Sequence, residues 1–257
     1  MIEERLIRQF ADRWQTTADN VVREYFQHLF LSHLYRQKRS EALRFKGGTA
    51  LRLIWKSPRF SEDLDFTGAA VSIPQIETLM EAALAGVEQE GIDADIEESK
   101  ATTGGYFAVF RLRGEGYESG LQTEVSLRKG ARGRGTAALV QTELLPPYTL
   151  VHLEEAALVG EKVQACLTRG KPRDFFDLYF ILRNRMAFRE TFARDKTLGP
   201  RLREAVRRSA PAFRNELKRF LPVSQHLLLK DFPATLNAEI SRSLPDIGGL
   251  PGKTGRG

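Results

Sequence analysis

Cysteine is almost missing: Cys166 is the single one among 257 residues. The chain can therefore close no internal disulfide, which suits a reducing compartment. Also missing is any run of about 18 apolar residues, the length a membrane-spanning helix needs. The first residues, Met1-Ile2-Glu3-Glu4-Arg5, are charged where a secretory leader would carry an apolar segment. Together these absences lead us to expect a cytoplasmic protein that makes no use of a membrane. No internal repeat is evident. Acidic residues are the minority charge, 33 Asp and Glu against 39 Lys and Arg, for a formal net charge of +6. A basic surface suits a polyanionic partner such as RNA; an arginine-rich solvated surface would look the same by charge alone.

What is present is concentrated in residues 44–68, RFKGGTALRLIWKSPRFSEDLDFTG. Lys46 is followed by a turn, Gly47-Gly48-Thr49, that opens an amphipathic run. A glycine turn ahead of a helix brings backbone N–H groups close to a phosphate. About fifteen residues on comes Ser61-Glu62-Asp63-Leu64-Asp65-Phe66. On a strand, side chains alternate, so Asp63 and Asp65 point the same way and Glu62 the other. Two carboxylates on one face repel unless a cation lies between them, and Mg²⁺ takes one or two protein carboxylates together with substrate phosphates. A phosphate cradle near a metal site suggests nucleotide-dependent phosphoryl or nucleotidyl transfer. Ser61 either orients the first carboxylate, touches a phosphate, or is a strand-edge hydroxyl.

Around this stretch the expected elements are mixed. Residues 2–37 read as one or two helices, with Phe10, Trp14, Tyr25, Phe26 and Phe30 as core. His28 and His33, five apart, share no helix face and read as packing or surface residues, not metal ligands. Residues 43–46 form a first strand, 49–55 a helix, 64–67 the strand carrying the aspartates, and 74–90 a helix with Pro74 in its first turn. Segments 92–98, 106–113 and 121–127 read as a meander of strands extending a mixed sheet. Residues 129–135 are basic and glycine-rich, either a phosphate-contacting loop or a solvated connection. Pro146-Pro147 marks a boundary, and from Val151 onward the pattern turns helical, with helices over 153–165, from Asp174 on, and over 197–221. The last of these is rich in arginine: Arg201, Arg203, Arg207, Arg208 and Arg214. Asp174 is placed to act as a helix N-cap.

Two stretches resemble the AbiEii-type nucleotidyltransferase toxins, which include the MenT toxins and belong to the polymerase-β-like nucleotidyltransferase superfamily. The first is KGGTAL followed by R-x-SEDLDF. The second is E-K-h-x-A followed by R-D-h-h-D-L-Y, with h apolar: here Glu161, Lys162 and Ala165, then Arg173, Asp174, Asp177, Leu178 and Tyr179. The resemblance spans about residues 40–185. It implies an α/β (α+β) fold, a mixed-sheet nucleotidyltransferase core with N-terminal helices over 1–147 and a mostly helical C-terminal part over 148–243 that completes the site. The tail over 244–257, rich in glycine and proline with few apolar residues, is expected to be disordered. The resemblance implies transfer of a nucleotide from NTP to an acceptor, the tRNA 3′ end, with a cognate antitoxin as partner. Mg²⁺, or Mn²⁺, would be held by Asp63, Asp65 and a third carboxylate, for which Glu124 stands in the matching strand where many superfamily members have Asp. Lys46, Gly47, Gly48, Thr49, Ser61 and Lys162 would hold the nucleotide. Asp174 or Asp177 would be essential, acting as general base or, as we prefer, orienting Lys162. The alternatives are transfer to a protein or small molecule, and a catalytically silent nucleotide- or RNA-binding protein of the same fold.

Overall fold

The computed structural model describes residues 2–127, 134–192 and 195–244. Most of the basic loop at 129–135 and all but the first residue of the C-terminal tail at 244–257 lie outside the described residues. The chain divides into two compact units: Met1–Leu158 with Lys218–His226, and Val159–Leu217 with Leu227–Gly257.

The first unit opens with helices α1 (Glu4–Trp14) and α2 (Ala18–Leu34). The Thr17 hydroxyl accepts the Asn20 N–H at 3.3 Å and starts α2 as an N-cap. Helix α2 is buried on nearly every side, with Val21, Phe26, Phe30 and Leu31 in the core and His28 and His33 buried beside them. Then follow β1 (Leu43–Lys46), α3 (Gly47–Leu53), β2 (Leu64–Gly68) and α4 (Ile73–Gln89). Pro74 sits in the first turn of α4, where its missing N–H costs nothing. The meander is β3 (Asp93–Thr102), β4 (Gly105–Gly114) and β5 (Tyr117–Ser126), and β6 (Gly135–Val140) and β7 (Tyr148–Leu153) complete the sheet.

The seven strands are ordered β3-β4-β5-β2-β1-β7-β6. β2 runs parallel to β5 and β1 parallel to β7; β1 and β2 are antiparallel, as are the β3–β4, β4–β5 and β6–β7 pairs. The sheet is thus mixed, as expected. One face is apolar: Phe45, Leu64, Phe66, Phe110, Leu121 and Val125 are fully or almost fully buried, and α2 packs on β5 and on α4. The outer strand β3 is exposed along nearly its whole length and carries a ladder of charge. Arg113 meets Asp93, Asp95 and Glu118, and Arg111 meets Glu97 and Glu118.

Residues 148–153 form a strand, so the helical pattern expected from Val151 starts later than that. Tyr148, Leu150 and His152 alternate inward with period two, and the strand pairs with β1 at Phe45↔His152. The following helix, α5 (Glu155–Thr168), begins only after it.

From Val159 the second unit contains the rest of α5, then α6 (Pro172–Arg183), α7 (Phe188–Phe192), α8 (Leu198–Leu217) and α9 (Phe232–Ser243). Its core is aromatic. Phe232 lies 5.3–5.9 Å, centroid to centroid, from Phe213, Tyr179 and Phe176, and Phe175 lies 5.3 Å from Phe213. The arginine-rich helix ends at Leu217, short of the expected 221, and a 3₁₀ turn follows over Lys218–Phe220.

Candidate active site

In the first unit the glycine turn and the Asp65 carboxylate are built against each other. β1 ends at Lys46, whose register partner on β2 is Asp65. Gly47 then turns with φ +83°, a conformation that disfavours any side chain. A Cβ there would stand 2.1 Å from Asp65 Oδ2, and one on Gly48 would stand 2.1 Å from Arg59 Nη2 and 2.9 Å from Ser61 Oγ. The two glycines are therefore required by what presses on them: a carboxylate, a guanidinium and a hydroxyl. Arg59 is 2% exposed, and its Nη1 donates to the Phe60 carbonyl at 2.9 Å.

Across the sheet, Asp65 is paired in register with Glu124 on parallel β5. Lys46, Asp65 and Glu124 thus stand in one row on one face. Glu124 is exposed, and Gln122 Nε2 donates to its Oε1 at 3.2 Å. Asp63, expected on the same strand as Asp65, lies one residue before β2 begins. It is placed by other means: Thr49, completely buried on α3, donates its hydroxyl to the Asp63 carbonyl at 2.5 Å. Gln27 on α2 donates to the carbonyls of Ser61 and Glu62 at 2.9 and 3.1 Å. Asp63, Asp65 and Ser61 are half-buried.

Among the described residues, no three His, Cys, Asp or Glu side chains are gathered to hold a metal ion by themselves. The donor set nevertheless fits a hard cation of the Mg²⁺ type, which takes one or two carboxylates and completes its shell with phosphate and water. The Asp65 carboxylate stands directly against the Gly47 turn.

In the second unit, Lys162 on α5 and Asp177 on α6 form a buried ion pair, Nζ to Oδ2 at 2.8 Å, with side chains 9% and 1% exposed. Asp174 has different partners. Arg169 grips it with two hydrogen bonds of 2.8 and 2.6 Å, and its Oδ2 accepts the Lys171 N–H at 3.2 Å. Asp174 is therefore not the N-cap of α6, which is Lys171; it is the third helical residue, reaching back over the helix start. Of the two aspartates, Asp177 is the one that touches Lys162. Cys166, one turn after Lys162 on α5, is also buried, and burial followed by the nearby Asp174 and Asp177 pushes its thiol pKa well up.

On α8, Arg207 is paired with Glu204 through two 2.8 Å hydrogen bonds and Arg208 reaches the same carboxylate at 4.0 Å; both are exposed, as are Arg201 and Arg214. Sequence reasoning overlooked Gln27 and the role of Arg59. Arg59 stood in the quoted motif, and its nearness to the serine and first aspartate was the available signal. Gln27 is hidden in a helix whose pattern reads as core.

Known proteins resemble the chain along the same lines. A family model described as "Nucleotidyl transferase AbiEii toxin, Type IV TA system" matches residues 29–238. Among solved structures, MenT4, a nucleotidyltransferase toxin from Mycobacterium tuberculosis, aligns with a TM-score of 0.63 at 18% identity, covering 98% of this chain and 91% of that one. JHP933 from Helicobacter pylori aligns with a TM-score of 0.56 at 21% identity, covering 89% of this chain and 93% of that one. At such identities the two structures show a shared fold. No curated protein matches the chain.

Proposed function

Because the chain belongs to the AbiEii family of nucleotidyl transferase toxins of type IV toxin–antitoxin systems, we propose that it transfers a nucleotide from NTP to the 3′ end of tRNA in a reaction that depends on Mg²⁺. Family membership implies an NTP substrate and a cognate antitoxin. The observation that carries the site is the packing of the Asp65 carboxylate against the Gly47 turn. It supports a reading in which a metal-binding group and a phosphate-binding backbone meet at one point.

In this reading the backbone at the Gly47-Gly48 turn receives the triphosphate, with Lys46 and Ser61 beside it. Asp63 and Asp65 hold the cation, with Glu124 as a third, outer carboxylate. The acceptor hydroxyl attacks the α-phosphorus and loses its proton to solvent, the bond to the α–β bridging oxygen breaks, and pyrophosphate leaves. A bound Mg²⁺ would supply charge stabilisation to the attacking and departing oxygens. Lys162 contributes a positive charge toward the nucleotide phosphates and Asp177 orients it, a role that suits a carboxylate already bonded to the ammonium better than general-base work does. Asp174 is assigned to closing the start of α6. The exposed Arg201, Arg208 and Arg214 supply attraction for RNA phosphates.

The test is direct. Purified protein is incubated with each labelled NTP and total tRNA, with and without Mg²⁺, beside Asp63→Ala and Asp65→Ala. Label should enter the tRNA 3′ end, and each variant should lose about a thousandfold or more in rate while staying folded. Label appearing in protein or a small molecule redirects the acceptor, and wild-type turnover in either variant refutes the site.

A further inference from the structure

We propose that Thr49 and Gln27 are positioning residues for Asp63, setting the place of its carboxylate through the backbone without touching substrate. The inference rests on the reading of Asp63 and Asp65 as the metal-binding pair.

The sheet stops just short of Asp63. Asp65 is fixed from both sides by its neighbours, Lys46 on β1 and Glu124 on β5. The ladder with β1 ends at that residue, and the ladder with β5 begins at Leu64↔Thr123. Asp63 lies just beyond, so strand pairing cannot hold it. Carbonyls withdrawn even partly from water still need partners. Here three consecutive ones, those of Ser61, Glu62 and Asp63, are each bound by a side chain from a helix. The Gln27 carboxamide has two protons and spends them on two successive carbonyls. Thr49 supplies the third bond.

These bonds also determine what the two side chains can still offer. A hydroxyl has one proton. With that proton donated to Asp63, the Thr49 oxygen presents only lone pairs, which a phosphate repels. Thr49 is also 0% exposed and Gln27 1% exposed. Neither side chain is therefore available to a ligand, although Thr49 stands in the motif that would cradle one. Thr49 instead ties the glycine turn, on which it is the next residue, to the loop that carries the first carboxylate. A shift in either would be transmitted to the other, which keeps the phosphate-binding backbone and the metal-binding carboxylate at a fixed separation.

A displacement of about 1 Å in such a group can cost on the order of a hundredfold in rate. Thr49→Val keeps the shape and removes the proton; Thr49→Ser keeps the proton. We expect Thr49→Val to lower kcat by roughly thirty- to a hundredfold with KM for NTP changed less than about threefold, and Thr49→Ser to recover most of the rate. Gln27→Met, on a different helix, should lower kcat in the same direction. A second readout is independent of turnover: Mn²⁺ uptake by the full chain, followed through the electron paramagnetic resonance signal of the free ion. Thr49→Val and Gln27→Met should weaken it about tenfold, and Asp65→Ala should abolish it. Circular dichroism establishes that each variant is folded. Folded Thr49→Val with wild-type kcat and Mn²⁺ affinity overturns the proposal. Should that variant fail to fold, Gln27→Met with both properties unchanged overturns it equally. Wild-type Mn²⁺ uptake by Asp65→Ala, or none by the native protein, instead brings down the metal reading beneath it.

Discussion

Consider replacing Asp177 by leucine. Its carboxylate is 2.8 Å from Lys162 Nζ, and both side chains are at most a tenth exposed. Removing the acid leaves an ammonium in the interior with its charge uncompensated, which costs about 3–5 kcal/mol in buried pairs of this kind. For a chain of this size each kcal/mol lowers Tm by roughly 2–4 °C, so Asp177→Leu should melt on the order of 10 °C below wild type. Adding Lys162→Met removes the stranded charge. Replacing a whole buried pair by apolar groups is neutral or even stabilising by about 1–4 kcal/mol, so the double variant should regain most of the lost Tm. Nucleotidyl transfer, by contrast, should remain absent, because the double variant has no cation to offer the phosphates. Differential scanning calorimetry and the labelled-NTP assay on wild type, both single variants and the double separate the two effects. A double variant no more stable than Asp177→Leu would refute the energetic argument. A double variant that transfers nucleotide normally would show that Lys162 serves the helix pair alone.

Other outcomes follow from the same geometry. Gly47→Ala must adopt φ near +83° and force its methyl into Asp65 Oδ2; transfer should fall at least about a hundredfold, measured as kcat with folding checked by circular dichroism. Changing Arg201, Arg208 and Arg214 together to glutamine should flatten the log–log salt dependence of RNA binding by about 0.7–0.9 for each phosphate no longer neutralised, leaving KM for NTP unchanged; a salt series of RNA-binding isotherms checks it. Burial, with Lys56 and Arg52 nearby, holds the His28 imidazole at about 3. The native state therefore refuses a proton that the unfolded chain accepts below about pH 6.5, and stability present above that pH is lost as pH falls. By pH 4.5 the loss is about 2–3 kcal/mol, and urea unfolding of His28→Gln should lack that share of the slope.

The turn and the carboxylates of the candidate site were legible because they are local in the chain. Gly47-Gly48, Asp63 and Asp65 announce themselves within one stretch, and the meander of β3 to β5 shows in its alternation and glycine punctuation. The strand at 148–153 was not legible. Six residues beside a strong helical period give little signal, and their place is decided by pairing with β1, more than a hundred residues earlier. The same limit applies inside the site. Whether Asp63 sits on the strand or before it depends on where two ladders stop, and Gln27 acts across 34 residues on a loop to which nothing in its own helix points. Arg169 and Lys162 each select one of two aspartates three residues apart, a choice made only in three dimensions.

Cys166 has a practical meaning beyond its neighbours. As the chain's one thiol, 1% exposed on α5 and disfavoured as a thiolate, it cannot be alkylated while its surroundings are closed, since the reagent needs both access and the anion. Every modification event therefore records an excursion in which α5 has let solvent in. Timed labelling with a thiol reagent under native conditions would give the free energy of that opening, as amide exchange does for single backbone sites, and with no engineered probe. The same residue would register, through slower labelling, any ligand that holds the helix pair shut.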